Sequence, residues 1–320
     1  MKSLTLIVIL LLSPVTHADV SQFKGRNYTK DQTRVCEQDL ADIKKTLSGV
    51  EGFSVLNGGC LTTAPETISL RFDYLHPLAS RIENFSASYT NVSSCGAANV
   101  SARRELLASG NLFVASHCED TQLTTHFINT NHSVLRSIGN LGTFSDPSDC
   151  SATLALLASQ AEKFEIHPFM LQCLKKTYND GKQTVFDATF NYIASYDTEL
   201  AAIPGETHDS YSECGLQHEE LVKTFADNHV SLVYDSCARA APLGEKVQRT
   251  ILYMKPQGTL KLVTNYTGFL VENQSACELQ LSKITQKLNE SGQNVLYGFC
   301  SKAGDKNFWP SVSYLRPIQL

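Results

Sequence analysis

Apolar positions recur along this chain in two alternating rhythms, and both restart at fixed distances from cysteine. Seven residues after Cys36, Cys95, Cys150, Cys214 and Cys277 stand Ile43, Ala102, Leu157, Leu221 and Ile284. Eleven residues after them stand Leu47, Leu106, Ala161, Phe225 and Leu288. Position four holds Leu40, Leu154 and Leu281, but Asn99 and His218 in the second and fourth copies. Spacings of four, seven and eleven share one helical face, so the pattern predicts a helix after each of these cysteines. Ser93, Ser148, Ser212 and Ser275 each precede the cysteine by two positions and are expected to cap those helices.

A second rhythm follows. Short apolar runs at 53–56, 112–115, 169–171, 230–234 and 295–299 lead into Cys60, Cys118, Cys173, Cys237 and Cys300 and read as strands. Pro168 weakens the start of the third. A further strand ends in an aromatic–aliphatic pair: Tyr74-Leu75, Phe127-Ile128, Tyr192-Ile193, Tyr253-Met254 and Tyr314-Leu315. The strand before each helix is clear at 23–29, 82–90 and 260–267, and poorer in copies three and four, which carry Gly139, Gly142, Pro204 and Gly205. Each unit is thus β-α-β-β, and first cysteines recur at steps of 59, 55, 64 and 63 residues.

The predicted fold is α+β: five tandem disulfide-stapled modules, at 19–78, 79–132, 133–196, 197–257 and 258–320, behind a leader at 1–18. A helix followed by a returning strand brings its two cysteines to the same end, so Cys36–Cys60, Cys95–Cys118, Cys150–Cys173, Cys214–Cys237 and Cys277–Cys300 are the expected bridges. A unit this small is marginal alone, and closing a loop of about 24 residues contributes roughly 3 kcal/mol. The modules are expected in a row or as a string of beads; the alternative is a closed five-fold pseudo-symmetric α/β ring. The five-fold count and strand order resemble the five-bladed arrangement of pentein enzymes. That resemblance implies the ring, with the N-terminal strand completing the last sheet. It does not extend to that family's chemistry, because every cysteine is assigned to a bridge.

The leader has Lys2, an apolar stretch at 4–12, and small residues to Ala18, where cleavage is expected. The stretch is too short to span a bilayer, and no other segment is long and apolar enough. Oxidised cysteines and a leader together place the chain in an extracellular setting, with a bacterial periplasm as the alternative. The formal charge of -5 excludes a basic nucleic-acid footprint. Eight sequons, at Asn27, Asn84, Asn91, Asn99, Asn131, Asn265, Asn273 and Asn289, exceed the roughly three expected by chance and point to N-glycosylation.

Signals for chemistry are missing. There is no Cys-x-x-Cys, His-Glu-x-x-His, Gly-x-Ser-x-Gly or Gly-rich phosphate loop, so no catalytic residue, metal or cofactor is predicted. His208-Asp209-Ser210 reads as a polar loop, and the histidines do not recur between copies. The recurrent aromatics read as core. These observations favour a non-enzymatic protein that binds an extracellular protein or glycan. The alternatives are a multi-module protease inhibitor or effector, and an enzyme with its site at a module junction.

Overall fold

The computed structural model describes residues 18–317 except 79, 131–132, 140, 179–182, 217, 240–245, 257–259, 267–269 and 304–306. The leader therefore lies outside the described residues, apart from Ala18. The first unit comprises β1 (Ala18–Thr29), α1 (Thr33–Ser48), β2 (Ser54–Ala64) and β3 (Thr67–Pro77). The second has β4 (Ile82–Ser88), α2 (Val92–Ala108), β5 (Leu112–Glu119) and β6 (Gln122–Ile128). The third is more broken: β7 (Ser133–Ile138), β8 (Thr143–Phe144), α3 (Pro147–Ala161), β9 (His167–Pro168), β10 (Gln172–Tyr178) and β11 (Gln183–Ser195). The fourth splits its helix, with β12 (Leu200–His208), α4 (Tyr211–Gly215), α5 (His218–Asp227), β13 (Leu232–Arg239) and β14 (Val247–Met254). The fifth has β15 (Leu260–Tyr266), α6 (Gln274–Glu290), β16 (Asn294–Ala303) and β17 (Asn307–Pro317). In every unit the last strand is the centre of an antiparallel sheet, flanked by the strands before and after the helix.

All ten cysteines are bridged within their own units, with Cα separations of 6.0–6.2 Å. Each bond fastens the first turn of the helix to an edge strand. The caps differ from expectation. They are Asn91, Asp146, Ser210 and Asn273, four residues before the cysteine, whose side chains accept from Ser94, Ser148, Glu213 and Ala276 N–H groups. The serines two before the cysteine already lie in the first turn. The cap must be the residue that still has extended backbone angles, and that residue is two positions earlier.

The second strand of every unit carries an irregularity four residues before its cysteine. Register shifts fall between Val55 and Asn57, Phe113 and Ala115, Leu232 and Tyr234, and Val295 and Tyr297. In the third unit the irregularity widens into a break. Met170 adopts φ 50°, so residues 169–171 are not a strand as expected, and pairing resumes at Gln172. The extra residue of a bulge turns one more side chain onto one face of the sheet. Here it faces the preceding unit. Val114 packs with core residues of unit one, Phe169 with unit two, Val233 with unit three and Leu296 with unit four.

Those four packing clusters fix the architecture. Each spans a junction, so the helix region of each of the first four units lies between its own sheet and the sheet of the next unit. Leu106 on α2, for example, shares a cluster with Phe127 of its own unit and Phe169 of the next. Two central tyrosines reinforce the order: Tyr74 accepts from the Ile82 N–H at 3.1 Å, and Tyr192 from the Leu200 N–H at 2.8 Å, each fastening the start of the following unit. The units form a contiguous row. Among the described residues the ring is not formed: β1 pairs with β3 of its own unit, and the last sheet comprises β15, β17 and β16.

The two ends of the row are polar. Central strands β11 and β14 are buried on both faces, whereas β3 alternates. Its rear face carries Arg71 and Asp73, opposite Lys24 and Gln22 of β1. At the equivalents of Arg71 the later units place Thr124, Thr189, Thr250 and Ser311. At the other end, the one described residue of α6 that is fully buried is Cys277. The bulge residue therefore has opposite surroundings in different units: Leu56 is 53 % exposed, and Phe169 is 0 % exposed. Phe169→Ala is expected to cost about 3–5 kcal/mol, and Leu56→Ala less than about 0.5 kcal/mol, both read from denaturant midpoints.

Candidate functional site

Clefts open at junctions along the row. One of about 660 Å³ separates units one and two. One wall carries a small side chain where later units carry a bulky one. Three residues before the second cysteine, units three, four and five place Met170, Tyr234 and Tyr297, all buried against the preceding unit. Unit two places Ala115 there, and Gly25 and Ser116 also line the space. A volume of this size is within the roughly 300–1,000 Å³ of small-molecule sites.

The wall from unit one is built on a bulge in β1, where pairing with β3 shifts between Lys24 and Asn27. The bulge aims Arg26 into the cleft. Its guanidinium lies 4.4 Å from the Tyr28 ring centroid, and its Nη2 donates to Asp39 Oδ2 at 3.1 Å. Tyr28 donates its hydroxyl to the same oxygen at 2.7 Å. Burial, reinforced by Asp39, pushes the Tyr28 phenol up to about 12, so it remains a donor. The wall from unit two presents His117 and His126, stacked at 6.2 Å, and His126 lies 4.7 Å from Phe23 across the junction. Two buried polar atoms in this cleft have no hydrogen-bond partner among the described residues: Arg26 Nε and His126 Nε2. His126 is only 6 % exposed. Such groups are costly to leave unmatched, and they mark where an occupant can bond.

A second polar feature sits in unit four. Arg249, 1 % exposed, donates from Nε to Asp235 Oδ1 at 2.7 Å and from Nη2 to Oδ2 at 2.6 Å. His218 Nδ1 also meets Asp235 Oδ2 at 2.6 Å, and His218 lines a cleft of about 360 Å³ facing Leu156 and Gln160 of unit three. The polar residues at the fourth helix position are thereby explained. That position touches the strand residue two before the second cysteine. In unit two the pair is Asn99 and Ser116, whose hydroxyl donates to the Asn99 side chain. In unit four it is His218 and Asp235, and in unit five Leu281 lies over Gly298. Pairing the departures at both positions is the signal that a reading of the helix alone missed.

The other sequence candidates disperse. Ser210 is the cap of α4, and Asp209 pairs with Lys246 at 3.2 Å. The aromatics Tyr74, Phe127, Tyr192, Tyr253 and Tyr314 are core. Asn27, Asn84 and Asn289 are exposed. Asn91 and Asn273 use Oδ1 for capping, which leaves Nδ2, the atom that carries sugar, outside the cap bond. Asn99 is turned toward Ser116, Asn265 stands in β15, and Asn131 lies outside the described residues. Among the described residues no group of three or more His, Cys, Asp or Glu is placed to hold a metal, and no helix is long and apolar enough to cross a membrane.

Comparison with protein-family models, with curated proteins and with solved structures finds no match.

Two outcomes are expected. Burial, helped by His117, holds His126 down to about 4 from the ordinary 6.5. The folded state thus favours the neutral ring, and its contribution is whole above pH 6.5 and lost as pH falls toward 4, by up to about 3 kcal/mol. Arg26, Asp39, His117 and Glu119 are the charged and titratable groups around this pair. His126→Phe should narrow the difference in thermal midpoint between pH 7 and pH 4.5. Separately, Asp235→Leu should cost about 3–5 kcal/mol by leaving Arg249 buried beside no carboxylate. Adding Arg249→Leu should restore most of that loss in denaturant titrations.

Proposed function

We propose that this chain is a secreted, N-glycosylated binding protein whose ligand seats in the cleft between its first two units. The units are those of residues 19–78, 79–132, 133–196, 197–257 and 258–320, released from a leader at 1–18. The single observation behind the reading is the cleft opened by Ala115, with two buried polar atoms, Arg26 Nε and His126 Nε2, lacking protein partners. Five bridges suit an oxidising compartment, and sequons on exposed asparagines suit a glycoprotein. A row of small units offers ligand sites at its joints, where two rigid walls meet.

The test uses the plug that sister units carry. Ala115→Tyr should fill much of the cleft and leave the fold intact, since Tyr234 and Tyr297 are buried at the equivalent position elsewhere. A ligand raises the thermal midpoint by mass action. In a thermal-shift screen of oligosaccharides, short peptides, amphiphiles and nucleotides, at least one class should stabilise the parent chain and not Ala115→Tyr. Equal stabilisation of both proteins by every hit would end this reading.

One observation favours a catalytic alternative. His218 is held by a buried carboxylate beside the cleft of units three and four, the arrangement that orients an imidazole for proton transfer. Turnover of a substrate, abolished by His218→Ala alone, would establish it over the binding reading.

A further inference from the structure

We infer that the cleft between units one and two recognises a saccharide through its hydroxyl groups; this rests on the reading of that cleft as a ligand site. The argument starts from which bonds the walls can still make. Arg26 Nε–H is a donor with no described partner, and it requires an acceptor. Next to it, Asp39 is a carboxylate, which can only accept, and its side chain is 40 % exposed. One hydroxyl satisfies both, accepting from Arg26 and donating to Asp39. A carbonyl cannot donate, and an ammonium cannot accept. His126 Nε2 adds a third contact, and a neutral imidazole nitrogen pairs with a hydroxyl whichever tautomer it adopts.

Charge and shape narrow the choice further. Asp39 and Asp42 line the wall from α1 and oppose an anion. Two of the positive groups are already engaged: Arg26 with Asp39, and Arg103 with its guanidinium 5.9 Å from the Phe113 ring centroid. The apolar part of the lining is aliphatic and aromatic, with Leu107, Leu112 and Phe113 along one side. A ligand with a hydroxyl edge and a C–H face fits these two surfaces, and a pyranose ring has both. The same lining gives a long-chain amphiphile no continuous apolar tunnel, because Arg26, Asp39, His117 and Ser116 interrupt it.

A printed array of neutral and acidic glycans, probed with the full oxidised chain and with Ala115→Tyr, tests the class. Neutral glycans should be retained by the parent and released by Ala115→Tyr. Calorimetry with the best neutral oligosaccharide should then show about a tenfold loss of affinity for Arg26→Lys, which keeps the charge and removes the Nε–H. The thermal midpoints of both variants, measured without sugar, should match the parent. Retention confined to acidic glycans, or the absence of any glycan whose retention depends on Ala115, overturns the saccharide assignment. If a peptide or amphiphile then stabilises the parent and not Ala115→Tyr, the cleft remains a ligand site of another class. If nothing distinguishes the two proteins, the site itself is refuted.

Discussion

A helix of 15 to 17 residues, as in four of these units, buries one stripe against its own sheet, and in this chain that is not enough. Four of the five units also press their helix region against the sheet behind the next unit, and the bulge before the second cysteine supplies the side chain that fills the contact. Val114, Phe169, Val233 and Leu296 do this in turn. Without that extra side chain the sheet would have a rear face of paired strands and little to interlock with. The bridges and the bulges therefore divide the work. A bridge ties a helix to its own sheet, and a bulge ties a sheet to the helix before it.

This division explains why one joint differs from the others. Where a bulky residue follows the bulge, it is buried against the preceding unit, as at Met170, Tyr234 and Tyr297, and the clefts beside Tyr234 and Tyr297 are smaller, about 360 and 270 Å³. Where Ala115 follows it, space opens and the surrounding positions turn polar. Ser116, His117 and His126 line this space from unit two, and Arg26 faces it from a bulge of unit one. The same logic holds in unit four, where Asp235 collects His218 and Arg249; units three and five have leucine at the position of His218, leucine or glycine at that of Asp235, and Ala188 or Pro310 at that of Arg249. Specialisation in this fold is a local loss of apolar filling, compensated by hydrogen bonds.

Much of the architecture was legible because helical and strand periods restart at every cysteine. The five bridges, the β-α-β-β order and the buried aromatic of each central strand follow from spacing alone. The caps were misplaced by two residues, since a serine inside the first turn looks, in sequence, like a serine at its edge. The break at 169–171 was hidden because Phe169, Met170 and Leu171 are apolar enough for a strand, and only the left-handed angle of Met170 interrupts it. The cleft was not legible at all. An alanine in an apolar run carries no sign that its counterparts in the later units are Met170, Tyr234 and Tyr297 unless the copies are aligned residue by residue back from the second cysteine. Arg26 and His126 lie about a hundred positions apart, and only stacking of successive units brings them together.

A stacked molecule also has to specify where stacking stops. The back of the first sheet holds Arg71 and Asp73 where later central strands hold threonine or serine at the first place and His126, Asn191, Leu252 or Ser313 at the second, and the last helix turns lysines and glutamates outward. Charges at either extremity make an added neighbour strip their hydration without offering partners. The charged faces of the first sheet and last helix thus oppose end-to-end docking of a further unit, while the apolar faces between them favour it.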